Sequence, residues 1–229
     1  MNMDIDKNAE FFLLSERELK ILLAGTSHSR VFGLFSEKTS RCDEKREDVL
    51  RDMAQMTRFN KIETDGEAFY INDSVGSIVS RIGGAEYVLS VSFPGIDLPL
   101  LYYCGEPAVL CKRVAYQPDM LRLKLCNSDI SALELIADAE LPDRADTVRE
   151  LSEFDLWNKS GGEVFSAELF YQGCFQLRIS VKDTVGEPLT IISEHMSGGK
   201  TECEYSKEKL ASILSDYLRI SDGGFVCEN

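Results

Sequence analysis

The residues with the richest chemistry in this chain are few and scattered. Seven cysteines stand at 42, 104, 111, 126, 174, 203 and 227, an odd number with no CxxC pair and no histidine placed to complete a zinc site. Several fall in apolar runs, Cys104 in LLYYC, Cys126 in LRLKLC and Cys174 in GCFQLRI, where a cysteine behaves as a small buried hydrophobe. No basic cluster stands beside them to hold a thiolate, so the reading is structural thiols in a reducing compartment, the cytoplasm. Of the two histidines, His28 sits in Thr-Ser-His-Ser-Arg and His195 ends an apolar run before Met196. A hydroxyl, an imidazole and a cation in successive positions of a loop do not make a nucleophile, a base and an orienting group. Carboxylates are abundant, yet no pair stands out for acid–base work or for a hard metal. The motifs of phosphate, dinucleotide, zinc-protease and calcium sites are all missing. The expectation is therefore a chain without catalytic residues, without a metal site and without a cofactor.

The elements that would have to position any site belong to a chain of 229 residues, 25.7 kDa, 44% hydrophobic and 28% charged. That is enough to bury a core without staples. Lys and Arg number 25 against 39 Asp and Glu, a net charge of −14, which repels phosphate backbones and anionic surfaces at long range and argues against nucleic acid as a partner. From Ser128 onward 20 acids face nine bases, net −11, while residues 1–127 hold 19 acids and 16 bases, net −3. The longest charge-free run, Tyr87 to Ile96, contains Pro94 and Gly95 and is far shorter than the roughly 20 residues a bilayer span needs, so no membrane insertion is expected. The N-terminus shows no signal-peptide pattern.

Ser15 followed by Glu18, with Leu14 and Leu19 around them, spells a capping box and a staple, and predicts a helix from Ser15 to near Gly25. Val49, Leu50, Met53 and Met56 give a second helix over 44–58, and Lys61 to Ile71 alternates around Asp65-Gly66 as a hairpin. Helix, helix, hairpin suggests an N-terminal winged-helix-like unit. Its residues 41–61 hold six bases against five acids, a poor phosphate footprint. A short helix with Val75, Ile78, Val79 and Ile82 follows, ending at Gly83-Gly84. Strands are predicted at 86–93, 98–104, 108–116 and 120–126, joined by Pro94 to Asp97, Gly105 to Pro107 and Gln117 to Asp119, as an antiparallel meander. Asn127 to Asp129 caps a helix with Ile130, Leu133 and Ile136, and a further helix is predicted at 146–157 with Trp157. Residues 163–171 read equally as helix or strand. Strands at 174–182, 188–195 and 200–204 and a helix from Ser206 to about Arg219 complete the order. The fold class is α+β, a central antiparallel sheet flanked by helical subdomains, as one domain over 10–220. Its two quasi-similar halves would cover about 10–127 and 128–220, with loose tails at 1–9 and 221–229.

One stretch is out of place for a loop. Phe93-Pro94-Gly95-Ile96-Asp97-Leu98-Pro99-Leu100-Leu101 puts large apolar side chains at and beside a turn, where solvent normally selects polar ones. Either the turn folds back on its own chain or a partner covers it. The candidate partner-binding residues are Phe93, Ile96, Leu98 and Leu100.

Three stretches carry a family resemblance: the helix, helix, wing segment ending Phe69-Tyr70-Ile71-Asn72; the next helix running into Ala85-Glu86-Tyr87-Val88-Leu89-Ser90-Val91; and the tail from Gln176 through Lys182-Asp183-Thr184-Val185-Gly186 to a strand and a closing helix. In this order the chain, over about residues 14–220, resembles the EspG family, the cytosolic chaperones of type VII (ESX) secretion systems. After Gly186 it has Glu187 and Pro188, where that family carries basic and aromatic residues. The resemblance implies a non-enzymatic cytoplasmic protein that binds the tip of a helical secreted substrate, and leaves a homodimer open. The competing expectation is a winged-helix transcription regulator with a C-terminal sensing domain, which would need a basic face over residues 28–61.

Overall fold

The computed structural model describes residues 11–26, 31–34, 45–144, 162–184 and 187–220. Along the chain the elements are β1 (Phe12–Ser15), α1 (Glu16–Ala24), α2 (Arg46–Arg58), β2 (Ile62–Thr64), β3 (Phe69–Ile71), α3 (Asp73–Gly84), β4 (Tyr87–Ser92), β5 (Leu100–Tyr103), β6 (Ala108–Val114) and β7 (Gln117–Cys126). There follow α4 (Ser128–Asp138), β8 (Gly162–Tyr171), β9 (Cys174–Asp183), β10 (Thr190–His195), β11 (Lys200–Glu204) and α5 (Lys207–Arg219). The class is α+β: five helices among the described residues, nine strands of a large antiparallel sheet, and β2 with β3 as a small separate one. The chain divides into two compact units, Met1–Ala85 with Val109–Leu125 and Glu86–Ala108 with Cys126–Asn229. It therefore passes between them at three points, the last of which lies beside the half boundary drawn near 127.

In the first unit, α1 begins where the capping box requires. Glu18 N–H donates to Ser15 Oγ at 3.1 Å, and Ser15 N–H to Glu18 Oε2 at 2.7 Å, which satisfies donors that a helix start leaves unpaired. Glu18 has a second task, because Lys61 Nζ reaches its Oε1 at 2.7 Å and ties the foot of the hairpin to α1. Leu19, Leu22 and Leu23 are buried on α1, Val75, Ile78, Val79 and Ile82 on α3, and Met56 alone on α2. The hairpin of β2 and β3 forms where its sequence predicts, but Thr64 pairs with Phe69, so the connection is the loop Asp65 to Ala68 and not a two-residue Asp65-Gly66 turn.

The residues before Ser15, read only as a staple, form β1, which pairs antiparallel with β7 through Leu14↔Leu121 and Leu13↔Arg122. The strand order here is β1-β7-β6. The turn expected at Gln117 to Asp119 lies instead at Ala115-Tyr116, and β7 already starts at Gln117. Pro118 is tolerated because the pairing with β1 ends at Met120, and its carbonyl accepts from Arg113 at 2.8 Å. Arg113 also pairs with the buried Glu16 and donates to Leu34 O, so this buried carboxylate has a cation beside it.

In the second unit the order is β5-β4-β8-β9-β10-β11, every pair antiparallel. Residues 163–171, ambiguous in sequence, lie in strand β8. Phe165, Ala167 and Leu169 alternate into the core beside Leu89 and Val91 of β4 and Ile179 and Val181 of β9, and flanking strands on both sides leave no room for a helix. Helix α4 is capped by Asn127 as expected, but its buried stripe differs from the expected Ile130, Leu133 and Ile136. Ser128, Ser131, Ala132, Leu135 and Ile136 are buried, and Ile130 and Leu133 are exposed. The small side chains in that stripe suit the close approach of α5, whose own stripe is Leu210, Leu214, Ser215 and Leu218. Asp129, in the first turn of α4, accepts from Ser215 and Arg219 of α5, which pins the two helices together. The helix expected at 146–157 and the tails at 1–9 and 221–229 lie outside the described residues.

Candidate functional site

The apolar turn joins β4 to β5 within the second unit. Along β4 the side chains of Leu89 and Val91 enter the core, and the period of two carries on to Phe93, which is 9% exposed. Its ring lies parallel to that of Phe165 on β8, with centroids 6.4 Å apart and planes at 4°. Pro94 and Gly95 then reverse the chain. Gly95 has φ +95°, a conformation that side chains disfavour, and Ile96 N–H closes the turn onto Phe93 O at 3.4 Å. Proline second and a positive-φ glycine third are the residues that a type II turn demands. The chain bends at Asp97 and Leu98 and passes through Pro99 to Leu100, which returns to the core at 5% exposure.

The four residues singled out in sequence thus take different positions. Phe93 and Leu100 are anchors held by the sheet, Ile96 is half-buried, and Leu98 is 39% exposed between exposed Asp97 and Pro99. The arrangement is a short apolar ridge, fixed at both ends, with a carboxylate beside it. Contact with another apolar surface is the chemistry it can do; it holds no nucleophile, base or ligand set.

The groups that could do other chemistry are placed as follows. Cys104 and Cys111 are buried, and burial pushes both thiols up to about 12, so they stay protonated and inert. Cys126 is buried as well, Cys203 is half-buried and Cys174 is exposed. His195 is half-buried at the end of β10, where its backbone N–H bonds to Gly199 O at 2.8 Å. His28, Cys42 and Cys227 lie outside the described residues. Among the described residues no three His, Cys, Asp or Glu side chains gather as a metal site, and no helix is long and apolar enough to cross a membrane.

The helix, helix, hairpin segment has bases of its own, several of them engaged with acids. Arg51 pairs with Asp48 at 3.3 Å, Lys61 with Glu18, and Arg17 of α1 with Asp52 of α2 at 2.8 Å. Desolvation at that last contact holds the Asp52 carboxyl above its ordinary range, with Arg17 acting in the opposite sense. Paired cations of this kind join α1 to α2 and to the hairpin.

Sequence reasoning missed one group of surface residues, Phe11 and Leu13 beside Arg122 and Lys124, because it left β1 unassigned. The alternation in LRLKLC was the available signal for a strand with one basic face. No protein-family model matches this chain, and no curated protein matches its sequence.

Proposed function

We propose that this chain is a non-enzymatic binding protein, an EspG-like cytoplasmic chaperone that recognises a helical substrate of a type VII secretion system. The observation that carries the reading is the β4–β5 turn, where Leu98 and part of Ile96 face outward between two anchored residues. A ridge held rigid before binding loses little conformational entropy on contact, and an apolar tip of a helical hairpin is a surface it complements. The acids of the second unit would then act at the rim, selecting partners by charge more than adding affinity. The inert buried thiols and the scattered titratable groups support a binding role over catalysis. Pairing of Arg51 and Lys61 with carboxylates supports it over the winged-helix regulator, which needs those charges for phosphates.

The test is a pull-down of the tagged chain from its native cytosol, followed by titration calorimetry with the small helical protein recovered. Ile96→Asp and Leu98→Asp are each expected to weaken that binding at least about 30-fold, the loss typical of a central apolar contact. Leu98 is exposed, so its variant should keep the wild-type melting profile. Undiminished binding by both variants removes the turn from the interface. Recovery of a defined DNA fragment in place of a protein would favour the regulator.

A further inference from the structure

A second surface lies in the first unit. One side of the strands β1, β7 and β6 is core: Leu14, Leu121, Leu123, Val109 and Cys111 are all buried. By the alternation of strand side chains, Leu13, Met120, Arg122, Lys124, Leu110, Lys112 and Val114 occupy the other side. Leu13 is 47% exposed, and Phe11, just before β1, is 42% exposed. The Phe11 ring centroid lies 5.5 Å from the Arg122 guanidinium and 5.7 Å from Lys124 Nζ, within reach of cation–π attraction to both. Arg122 and Lys112 are exposed.

The charge on this face runs against that of the chain. Acids outnumber bases by 39 to 25 overall, yet among the described residues the outer positions of these three strands carry three cations and no carboxylate. Asp119 alternates with Leu121 to the other side. A basic face dotted with apolar side chains, on an acidic protein, has a complement of defined chemistry. We propose that the outer face of β1, β7 and β6 docks an acidic amphipathic helix of a partner protein.

The dimensions agree. Three strands at about 4.8 Å spacing make a strip roughly 10 Å wide, the breadth of one helix. Positions 122 and 124, two residues apart on a strand, are spaced by about 6.8 Å, close to the 5–6 Å between the Cβ atoms of acidic residues at i and i+4 of a helix. Phe11, Leu13 and Met120 then meet the apolar stripe between those carboxylates. A second copy of the chain through the same face would set cation against cation. Three cations are few for a nucleic-acid footprint, which commonly engages six to ten phosphates, and the net charge opposes anionic membranes. This inference is independent of the β4–β5 turn.

The test uses fluorescence anisotropy with the full chain and a labelled peptide of about 20 residues, built from Leu, Ala and Glu as an amphipathic helix. Its counterpart with Gln for every Glu, phosphatidylserine vesicles and a single-stranded oligonucleotide are run beside it. The acidic peptide is expected to bind, and to bind more weakly as salt is raised. The Lys112→Glu, Arg122→Glu double variant should lose at least about tenfold. Arg58→Glu, which reverses an exposed cation on α2, should change nothing, and both variants should melt as the wild type does. Absence of binding, equal binding of the Gln peptide, or indifference to the double variant overturns the proposal. So does tighter binding of vesicles or oligonucleotide that is lost in the same variant.

Discussion

Two hairpin turns in this chain use the same backbone device in opposite surroundings. Gly66 in the β2–β3 turn has φ +93° and Gly95 in the β4–β5 turn φ +95°, and at both a Cβ would meet nothing within 4 Å. Around Gly66 the turn satisfies itself: Asp65 Oδ1 accepts the N–H groups of Glu67 and Ala68 at 2.9 Å each, and Oδ2 accepts the Tyr70 hydroxyl at 2.8 Å. Around Gly95 the flanking side chains are apolar, and the turn is held by Phe93 and Leu100 in the core. The polar turn is complete in water. The apolar turn leaves Leu98 exposed where a polar residue would serve folding equally well, and the proposed partner contact rests on that difference.

The largest effect that could break this contrast comes from the anchors. Phe93→Ala removes a buried ring stacked on Phe165 and should destabilise the protein by about 3–4 kcal/mol. Phe69→Ala, on the half-exposed strand after the polar turn, should cost at most about 0.5 kcal/mol. Urea unfolding midpoints of the two variants measure both. Equal shifts would mean that the β4–β5 turn is no better anchored than the hairpin and that its apolar character is incidental.

The glycines should behave alike although their surroundings differ. Gly66→Ala and Gly95→Ala each force a side chain into a positive-φ conformation with open space around it, so backbone strain is the whole penalty, about 1–2 kcal/mol in each case. A markedly larger loss at Gly95, again by urea unfolding, would reveal a contact at that turn beyond those seen here and would sharpen the contrast in a new direction.

Local signals in the sequence located most of the fold. The capping box at Ser15, the hairpin around Asp65-Gly66 and the cap at Asn127 all lie within a few residues of what they determine, and the structure has each of them. What the sequence could not show depends on distant partners. β1 is four residues long and becomes a strand by pairing with β7, more than a hundred residues later. The run at 163–171 is a strand because β4 and β9 flank it. The buried face of α4 is decided by α5, which selects Ser131 and Ala132 over the more apolar Ile130 and Leu133. The same limit applies to the candidate site. The period of two along β4 was legible, but that Phe93 stacks on Phe165 was not, so anchor and exposed ridge could not be told apart.

The smallest expected effect is confined to the polar turn and concerns pH. The N–H of Ala68, then that of Glu67, and then the Tyr70 hydroxyl hold the Asp65 carboxyl down from 3.8 to about 2. A folded-state value below the unfolded one means that the turn gains stability above pH 3.8 and loses it as pH falls through about 2. At about pH 3, an ordinary aspartate is mostly protonated whereas Asp65 should remain ionised, so its carboxyl carbon shift by NMR should still be that of a carboxylate. A midpoint at 3.8 would show that the three hydrogen bonds do not form in solution, and the hairpin would lose its claim to self-sufficiency. The ring stacking of Phe93 on Phe165 involves no proton, so over the same interval its aromatic signals should stay where they are at neutral pH. If both turns responded together, their difference would lie in the fold around them and not in the chemistry of each turn.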